Sequence, residues 1–598
     1  MKINYPSNVL AKMQEIADGC MGQDAPYCQS ACPMHTDIRG YVNLIGEGKE
    51  EEALGLIREK LFLPATLGRI CAHPCEDSCK RGTEYNQPMA IASLKRYVAD
   101  KHDKEEKWDL NTKPSTGKKV AIIGAGPAGG QAAIDLRKEG HEVTVFEKLN
   151  VVGGMMRVGI PEYRLPRNII DFEYTYLTKL GVNVKLGVEI GKDITMAQLE
   201  KDFDAIVLAH GAHKGVRIPF KGTDADGVYD AVEFLKEVSL TRNFKGLKKK
   251  VAVLGGGNVA IDVARSAARV GAQEVHLVCL EEMGKMPAHD WEVEEAIEEG
   301  VKVHAGYGSE QIISKDGKVS GYEIKKCTSI FDKDGNFNPQ YDENSKKVLD
   351  VDTFVFAVGQ AVESHFVDGL ETTRGGRFVA CTDTLQTSKP NVFVCGDAVV
   401  NGSVIVIEAM ASARQASTSV NRFLKGQDLK EGRNFAEERG YETKLETEIK
   451  EGTEDLPRIK TKQLDPKERI KSFVEVDLGL TPEDAKKEAS RCLSCECKLC
   501  MKECVMLNEF CECPKEIFEK VIATGEIDPI IPYSCNMCNQ CTLECPKDFK
   551  ISSSFMDMRL EMIKANKGKS PMKGHKAIEM HQLLGFSKIF NIVRRAKK

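Results

Sequence analysis

The sequence of 598 residues has no long apolar run: stretches such as Val120 to Ile123 or Val404 to Ile407 fall far short of the roughly 18 residues of a membrane-crossing helix. The opening, Met1 to Val9, contains Asn4, Pro6 and Ser7 and no apolar core of the kind an export signal needs. Net charge is equally scarce, a formal −5 from 84 basic and 89 acidic residues, so no overall positive field draws the chain to nucleic acid. Low-complexity stretches are lacking too. These absences predict a cytoplasmic globular protein that neither spans a membrane nor binds nucleic acid. With 42% hydrophobic and 29% charged residues the chain has apolar material for several cores, about four at roughly 150 residues per domain.

What is abundant is cysteine, 21 in all, and it is clustered. Six lie between Cys20 and Cys79 (Cys20, Cys28, Cys32, Cys71, Cys75, Cys79) and eleven between Cys492 and Cys545. Disulfide scaffolds are small exported chains, whereas grouped thiolates in a large reduced protein point to metal. The scattered Cys279, Cys327, Cys381 and Cys395 sit in strand-like settings and read as core thiols.

Between the two groups, short β-branched runs alternate with helical stretches, the pattern of a parallel α/β fold. Lys119 to Ile123 reads as a buried strand entering Gly124-Ala-Gly126-Pro-Ala-Gly129, then a helix, then a second strand ending at Glu147. In such a unit the first glycine makes the turn, the second admits a pyrophosphate and the third lets helix and strand pack. The anion sits at the helix N-terminus and the terminal acid binds ribose hydroxyls. A second unit runs from Val251 through Gly255, Gly257, Asn258 and Ala260 to a strand ending near Glu281. Two such units predict two dinucleotides; a flavin and a nicotinamide can stack for hydride transfer. Asn391 to Ala398 reads as a strand ending in Gly396-Asp397, placed to bind a ribityl hydroxyl of a flavin at the first site.

The run Gly153 to Pro166, with Gly153-Gly154 and Gly159-Ile160-Pro161, resembles the small subunit of glutamate synthase, as do both nucleotide motifs and Gly68-Arg-Ile-Cys71. Dihydropyrimidine dehydrogenase and the NADH-dependent ferredoxin:NADP oxidoreductase share this module. The resemblance covers roughly residues 1–425. It implies two Rossmann-like domains flanked by helical iron–sulfur domains, with FAD at Gly124, Gly126, Gly129, Glu147, Gly154, Gly396 and Asp397. It also implies that the nicotinamide nucleotide binds at Gly255, Gly257 and Asn258, in a domain inserted into the FAD domain. The expected division is a helical iron–sulfur domain at 1–110, an FAD domain at 117–245 and 360–425, an NAD(P) domain at 246–359 and a charged linker at 426–474. A ferredoxin-like domain at 475–555 and a basic helical tail at 556–598 complete it.

The sequence departs from that family twice. NADPH-using members carry two arginines after the second strand of the nicotinamide domain, where this chain has Leu280 and Glu281. A carboxylate there repels a 2′-phosphate, which predicts a preference for NADH, unless Lys285 substitutes. Among the N-terminal thiols, Gln23 stands at a family cysteine position and Lys95 at that of a non-cysteine ligand. Six thiolates hold one 4Fe–4S cluster with two left over. A second cluster needs Asp24, His35, His73 or another unusual ligand.

In the C-terminal group, Cys535-x2-Cys538-x2-Cys541-x3-Cys545-Pro is the run of a bacterial ferredoxin. Its partner is Cys495-x-Cys497-x2-Cys500-x3-Cys504. The fourth cysteine of such a run commonly serves the neighbouring cluster, which pairs Cys495, Cys497 and Cys500 with Cys545, and Cys535, Cys538 and Cys541 with Cys504. Alternatively Cys492 supplies the first ligand. Cys511 and Cys513, with Cys492, are left for a further cluster or zinc. The expected function is an FAD-dependent NAD(P)H oxidoreductase feeding at least one N-terminal and two C-terminal 4Fe–4S clusters. It exchanges electrons with ferredoxin or partner redox subunits, an arrangement compatible with an electron-bifurcating complex. The alternatives are a glutamate synthase-type small subunit and a wiring subunit without turnover. The tail from Glu561, ten Lys or Arg against two acids, reads either as a docking segment for a partner or an anionic membrane surface, or as a solvated terminal helix.

Overall fold

The computed structural model describes residues 1–402, 405–435, 438, 443–446, 456–502 and 504–587. It divides into two compact units: a smaller one of Met1–Tyr27, Glu442–Thr453 and Leu493–Lys598, and a larger one of Cys28–Tyr441 and Glu454–Cys492.

In the larger unit, the strands Lys119–Ile123 and Glu142–Glu147 centre a five-stranded sheet. Its order is Val392–Val394, Ala205–Leu208, Lys119–Ile123, Glu142–Glu147, Asn183–Leu186, all pairs parallel. The β-branched runs are buried because helices cover the sheet, with Val120, Ile122 and Val207 fully enclosed. A second five-stranded parallel sheet has the order Val228–Asp230, Thr353–Phe356, Lys250–Leu254, Glu274–Cys279, Lys302–Ala305. It carries an antiparallel three-stranded sheet, Tyr307–Lys315, Lys318–Phe331 and Phe337–Leu349. The chain leaves the first sheet and returns to it through a two-stranded ribbon in which Lys214–Gly215 pairs with Gln360–Ala361. The insertion thus begins before residue 245, and Val228–Asp230 already belongs to the second sheet.

Helices Ile38–Gly46, Glu50–Arg58, Pro64–Ile70 and Ile91–His102 precede the first sheet. The helix Pro482–Ala489 packs among them through buried Ala485 and Ala489. Glu488 is wholly buried there, accepting from Ala90 N (2.7 Å) and Ile459 N (2.8 Å). The segment expected as a charged linker is therefore packed where it is described. Arg469 is 1% exposed and reaches Glu299 and Glu298, each at 2.8 Å. Composition reads such a segment as solvated because it registers charge but not its partners. Residues 436–437, 439–442 and 447–455 of that segment lie outside the described residues, as does the basic end of the tail, 588–598.

The smaller unit packs the helix Ser7–Gly19 with Pro514–Thr524 and Ile551–Ala565 around Met13, Ile16, Phe518, Phe555 and Met558. Ile3 N donates to Gly525 O at 2.8 Å, and Lys12 pairs with Asp557 at 2.7 Å. Residues 1–27 thus leave the expected 1–110 segment, because the apolar face of their helix is covered by C-terminal helices. Likewise residues 475–492 fall in the larger unit. Among the described residues no helix is long and apolar enough to cross a membrane.

Candidate active site

Gly124 has φ +105°, and a Cβ there would stand 2.6 Å from Ala209 O. Gly126 caps the helix Pro127–Lys138 and has open space in front of it, a Cβ meeting only Gly154 Cα at 3.9 Å. That space, facing the helix N-terminus, fits a pyrophosphate. Gly129 packs inside instead, its missing Cβ overlapping Gly124 O. Glu147 ends its strand 7% exposed; Oε2 accepts from Ala125 N and Oε1 from Leu149 N, both at 2.8 Å. Burial pushes its carboxyl up. Each oxygen keeps a lone pair for a hydroxyl donor.

Gly124, Gly126, Glu147, Gly154, Gly396 and Asp397 all line one long cleft. Burial pushes Asp397 up to about 6, against the pull of Arg377. A buried carboxyl short of positive charge is the partner a hydroxyl-bearing ribityl chain requires. The donor set fits FAD.

The same cleft reaches Val259 and Asp262, on the helix Asn258–Arg269 that follows the second glycine loop. Within that loop, Gly255 has φ +146° and presses on Ala357 O, while Gly257 faces open space. Glu281 lies over the loop, Oε2 standing 2.7 Å from where a Cβ on Gly256 would be. Asn258 Oδ1 accepts from His289 N at 3.0 Å. Lys285 instead pairs with Glu282 at 2.9 Å.

The sequence does not mark several residues in and beside the cleft. His210 and His213 line it, and burial pushes both imidazoles down to about 4, so they are neutral near pH 7. His210 Nε2 meets Glu363 O at 3.0 Å, while its buried Nδ1 has no partner among the described residues. Arg164, inside the run that carried the resemblance, grips Asp262 at 2.7 Å and Glu292 at 2.6 Å. Burial pushes Glu292 up to about 7, despite Arg164. No periodicity marks these positions, since only the fold brings them together.

The cysteines fall into three places. In the larger unit, Cys32, Cys71, Cys75 and Cys79 are buried, with Cys28 and Cys492 packed against the same core. Tyr41 is held well above its ordinary value by burial, then by Cys75, Cys28 and Cys32. In the smaller unit, Cys20, Cys497, Cys500, Cys513 and Cys545 line one pocket. Nearby Cys541 is pushed up to about 11 by burial and then by Cys535, Cys504 and Cys538. Cys511 Sγ donates to Leu507 O at 3.3 Å. Cys495 does not line the five-thiol pocket. Among the described residues no three His, Cys, Asp or Glu side chains converge on one ion. Cys279 and Cys395 are buried strand thiols, while Cys327 and Cys381 are half-buried.

A first glycine loop opening on a cleft that the helix after the second glycine loop also lines, together with grouped thiols, defines a FAD-dependent NAD(P)H oxidoreductase with a 4Fe–4S domain. A model of the pyridine nucleotide-disulphide oxidoreductases matches residues 118–419, and one of dihydropyrimidine dehydrogenase domain II, 4Fe-4S cluster, matches 4–107. The chain is 38% identical over 500 residues to the NADP(+)-dependent formate dehydrogenase subunit beta of Moorella thermoacetica, covering 78% of this chain and 70% of that one. It is 32% identical over 514 residues to the NADPH-Fe(3+) oxidoreductase subunit beta of Geobacter sulfurreducens, covering 78% and 75%. To the NADPH glutamate synthase small chain of Escherichia coli it is 32% identical over 434 residues, covering 68% and 91%. The chain belongs to the pyridine nucleotide-disulphide oxidoreductase family and is an iron–sulfur flavoprotein of the glutamate synthase small-subunit kind.

Proposed function

We propose that this protein is the flavin-bearing subunit of a larger cytoplasmic redox complex, moving electrons between NADH and 4Fe–4S clusters that lead to ferredoxin or a partner subunit. The observation that carries it is the single cleft shared by the first glycine loop, Asp397 and the helix of the second loop. A flavin bound there supplies the exchange between two-electron and one-electron transfer. The chain's residues bind and orient: Gly126 leaves room for phosphate, Glu147 and Asp397 accept from hydroxyls, and neutral His210 and His213 add no charge to the cleft.

NADH is favoured because Glu281 lies against the second loop and the nearest lysine in sequence, Lys285, is paired away from it. The relatives named above for NADP(H) make this a sharp point of difference. Their names also mark subunits of assemblies, which supports a partnered role here. The thiols of the smaller unit are read as holding two 4Fe–4S clusters, one beside Cys497, Cys500 and Cys545 and one beside Cys504, Cys535, Cys538 and Cys541.

Anaerobic titration of the purified chain with NADH and then NADPH, following flavin and cluster absorbance, tests the reading. Bleaching of both chromophores by NADH at lower concentration than by NADPH is the expected result. Flavin that neither nucleotide bleaches would overturn it in favour of a wiring subunit.

A further inference from the structure

The five thiols of the smaller unit's pocket come from distant stretches of chain. Cys20 caps the C-terminus of the helix Ser7–Gly19, its N–H donating to Ile16 O at 3.0 Å. Cys500 lies in the helix Leu499–Lys502 just after Cys497, Cys513 precedes the helix Pro514–Thr524, and Cys545 closely follows the helix Gln540–Leu543. The remaining wall is largely apolar, from Met21, Met501, Pro546, Phe549 and Ile551. Cys20 Sγ stands 3.6 Å from Cys513 Sγ. The backbone after Cys20 is pressed onto the pocket as well: a Cβ on Gly22 would stand 2.4 Å from Cys513 Sγ. Met13 and Ile16, buried against Phe518 and Phe555, fix the helix that delivers Cys20. Soft sulfur donors in an apolar wall suit an iron–sulfur cluster. A cubane takes one thiolate per iron corner and so spaces them wider than one ion would.

We propose that Cys20, from the N-terminal helix, is the fourth ligand of the cluster bound by Cys497, Cys500 and Cys545, in the place that sequence spacing gives to Cys495. Cys20 would bind one iron as its thiolate, its proton passing to solvent, with Cys513 Sγ beside it at 3.6 Å. Residues 1–27 are then part of the C-terminal cluster's housing, and the N-terminal thiols from Cys28 onward hold their own cluster without Cys20. The inference rests on the reading of the C-terminal thiols as cluster ligands given above.

The test is electron paramagnetic resonance and iron content of the dithionite-reduced, anaerobically purified full-length protein, with flavin content reporting that each variant has folded. Cys20→Ser is expected to shift the same spectral component as Cys497→Ser and to leave the component altered by Cys75→Ser. Cys20→Ala is expected to lose about four irons. Cys495→Ser is expected to change neither. A Cys20→Ser spectrum altered in the Cys75-sensitive component, or unaltered while Cys495→Ser or Cys513→Ser deletes the Cys497-sensitive one, overturns the inference. If Cys497→Ser itself changes neither signal nor iron, the C-terminal cluster reading fails first and the inference fails with it.

Discussion

Arg164 reaches from the first nucleotide-binding sheet region to the second, donating from Nη1 to Asp262 Oδ2 at 2.7 Å. Its Nη2 holds Glu292 at 2.6 Å, and both acids keep one buried oxygen without a partner among the described residues. One guanidinium thus ties two helices of the inserted domain to the loop that faces the flavin cleft.

Removing that guanidinium takes the hydrogen-bonded cation from two buried carboxyls and leaves only the more distant Arg265. Arg164→Ala should destabilise the protein by about 3–5 kcal/mol, the usual cost of breaking a buried pair from one side. Thermal unfolding followed by flavin fluorescence measures it, and a change under 1 kcal/mol (~1) would show that protonation of Glu292 absorbs the loss.

Glu281→Arg should reverse coenzyme preference. Exchanging a repelling carboxylate for a guanidinium at the 2′ position should raise the NADPH-to-NADH ratio of kcat/KM at least about tenfold, roughly 1.4 kcal/mol. An unchanged ratio would place the discriminating group elsewhere.

Acid should loosen the flavin cleft. Burial holds His210 and His213 at about 4, below the ordinary 6.5, so the folded state resists protonation that the unfolded chain accepts. Their contribution is whole above pH 6.5 and is lost as pH falls toward 4. Melting temperature measured from pH 7 to pH 4 should fall less steeply in His210→Asn than in the wild type. Parallel curves would remove His210 from the account.

Glu299 is wholly buried among Arg265, Arg269 and Arg469. Against the effect of burial, the first two hold it down at about 2. Glu299→Leu should therefore cost about 3–5 kcal/mol, since three guanidiniums lose the one anion they share. Arg469→Met should cost nearer 1 kcal/mol (about 1), and its main effect should be faster proteolysis within residues 456–474. Equal losses in the two variants would contradict this ordering.

Both glycine loops were legible in the sequence because their spacing answers to local backbone needs: Gly124 turns at positive φ, and Gly129 must clear Gly124 O. The crossover was less legible, since only pairing of Lys214–Gly215 with Gln360–Ala361 fixes it, across a long stretch of chain. The packed role of residues 456–474 was invisible for the same reason, Arg469 finding Glu299 far away in sequence. Cys20 reads in sequence as one of an N-terminal six; the apolar face of its own helix, packed with Phe518 and Phe555, sets it in the smaller unit.

The ribbon of Lys214–Gly215 and Gln360–Ala361 brings the two ends of the inserted domain side by side. A host sheet interrupted at one doorway closes again beside it: Ala205–Leu208 and Val392–Val394, on either side of the interruption in sequence, are direct parallel neighbours. The excursion is a detour along the chain and leaves no gap in the sheet.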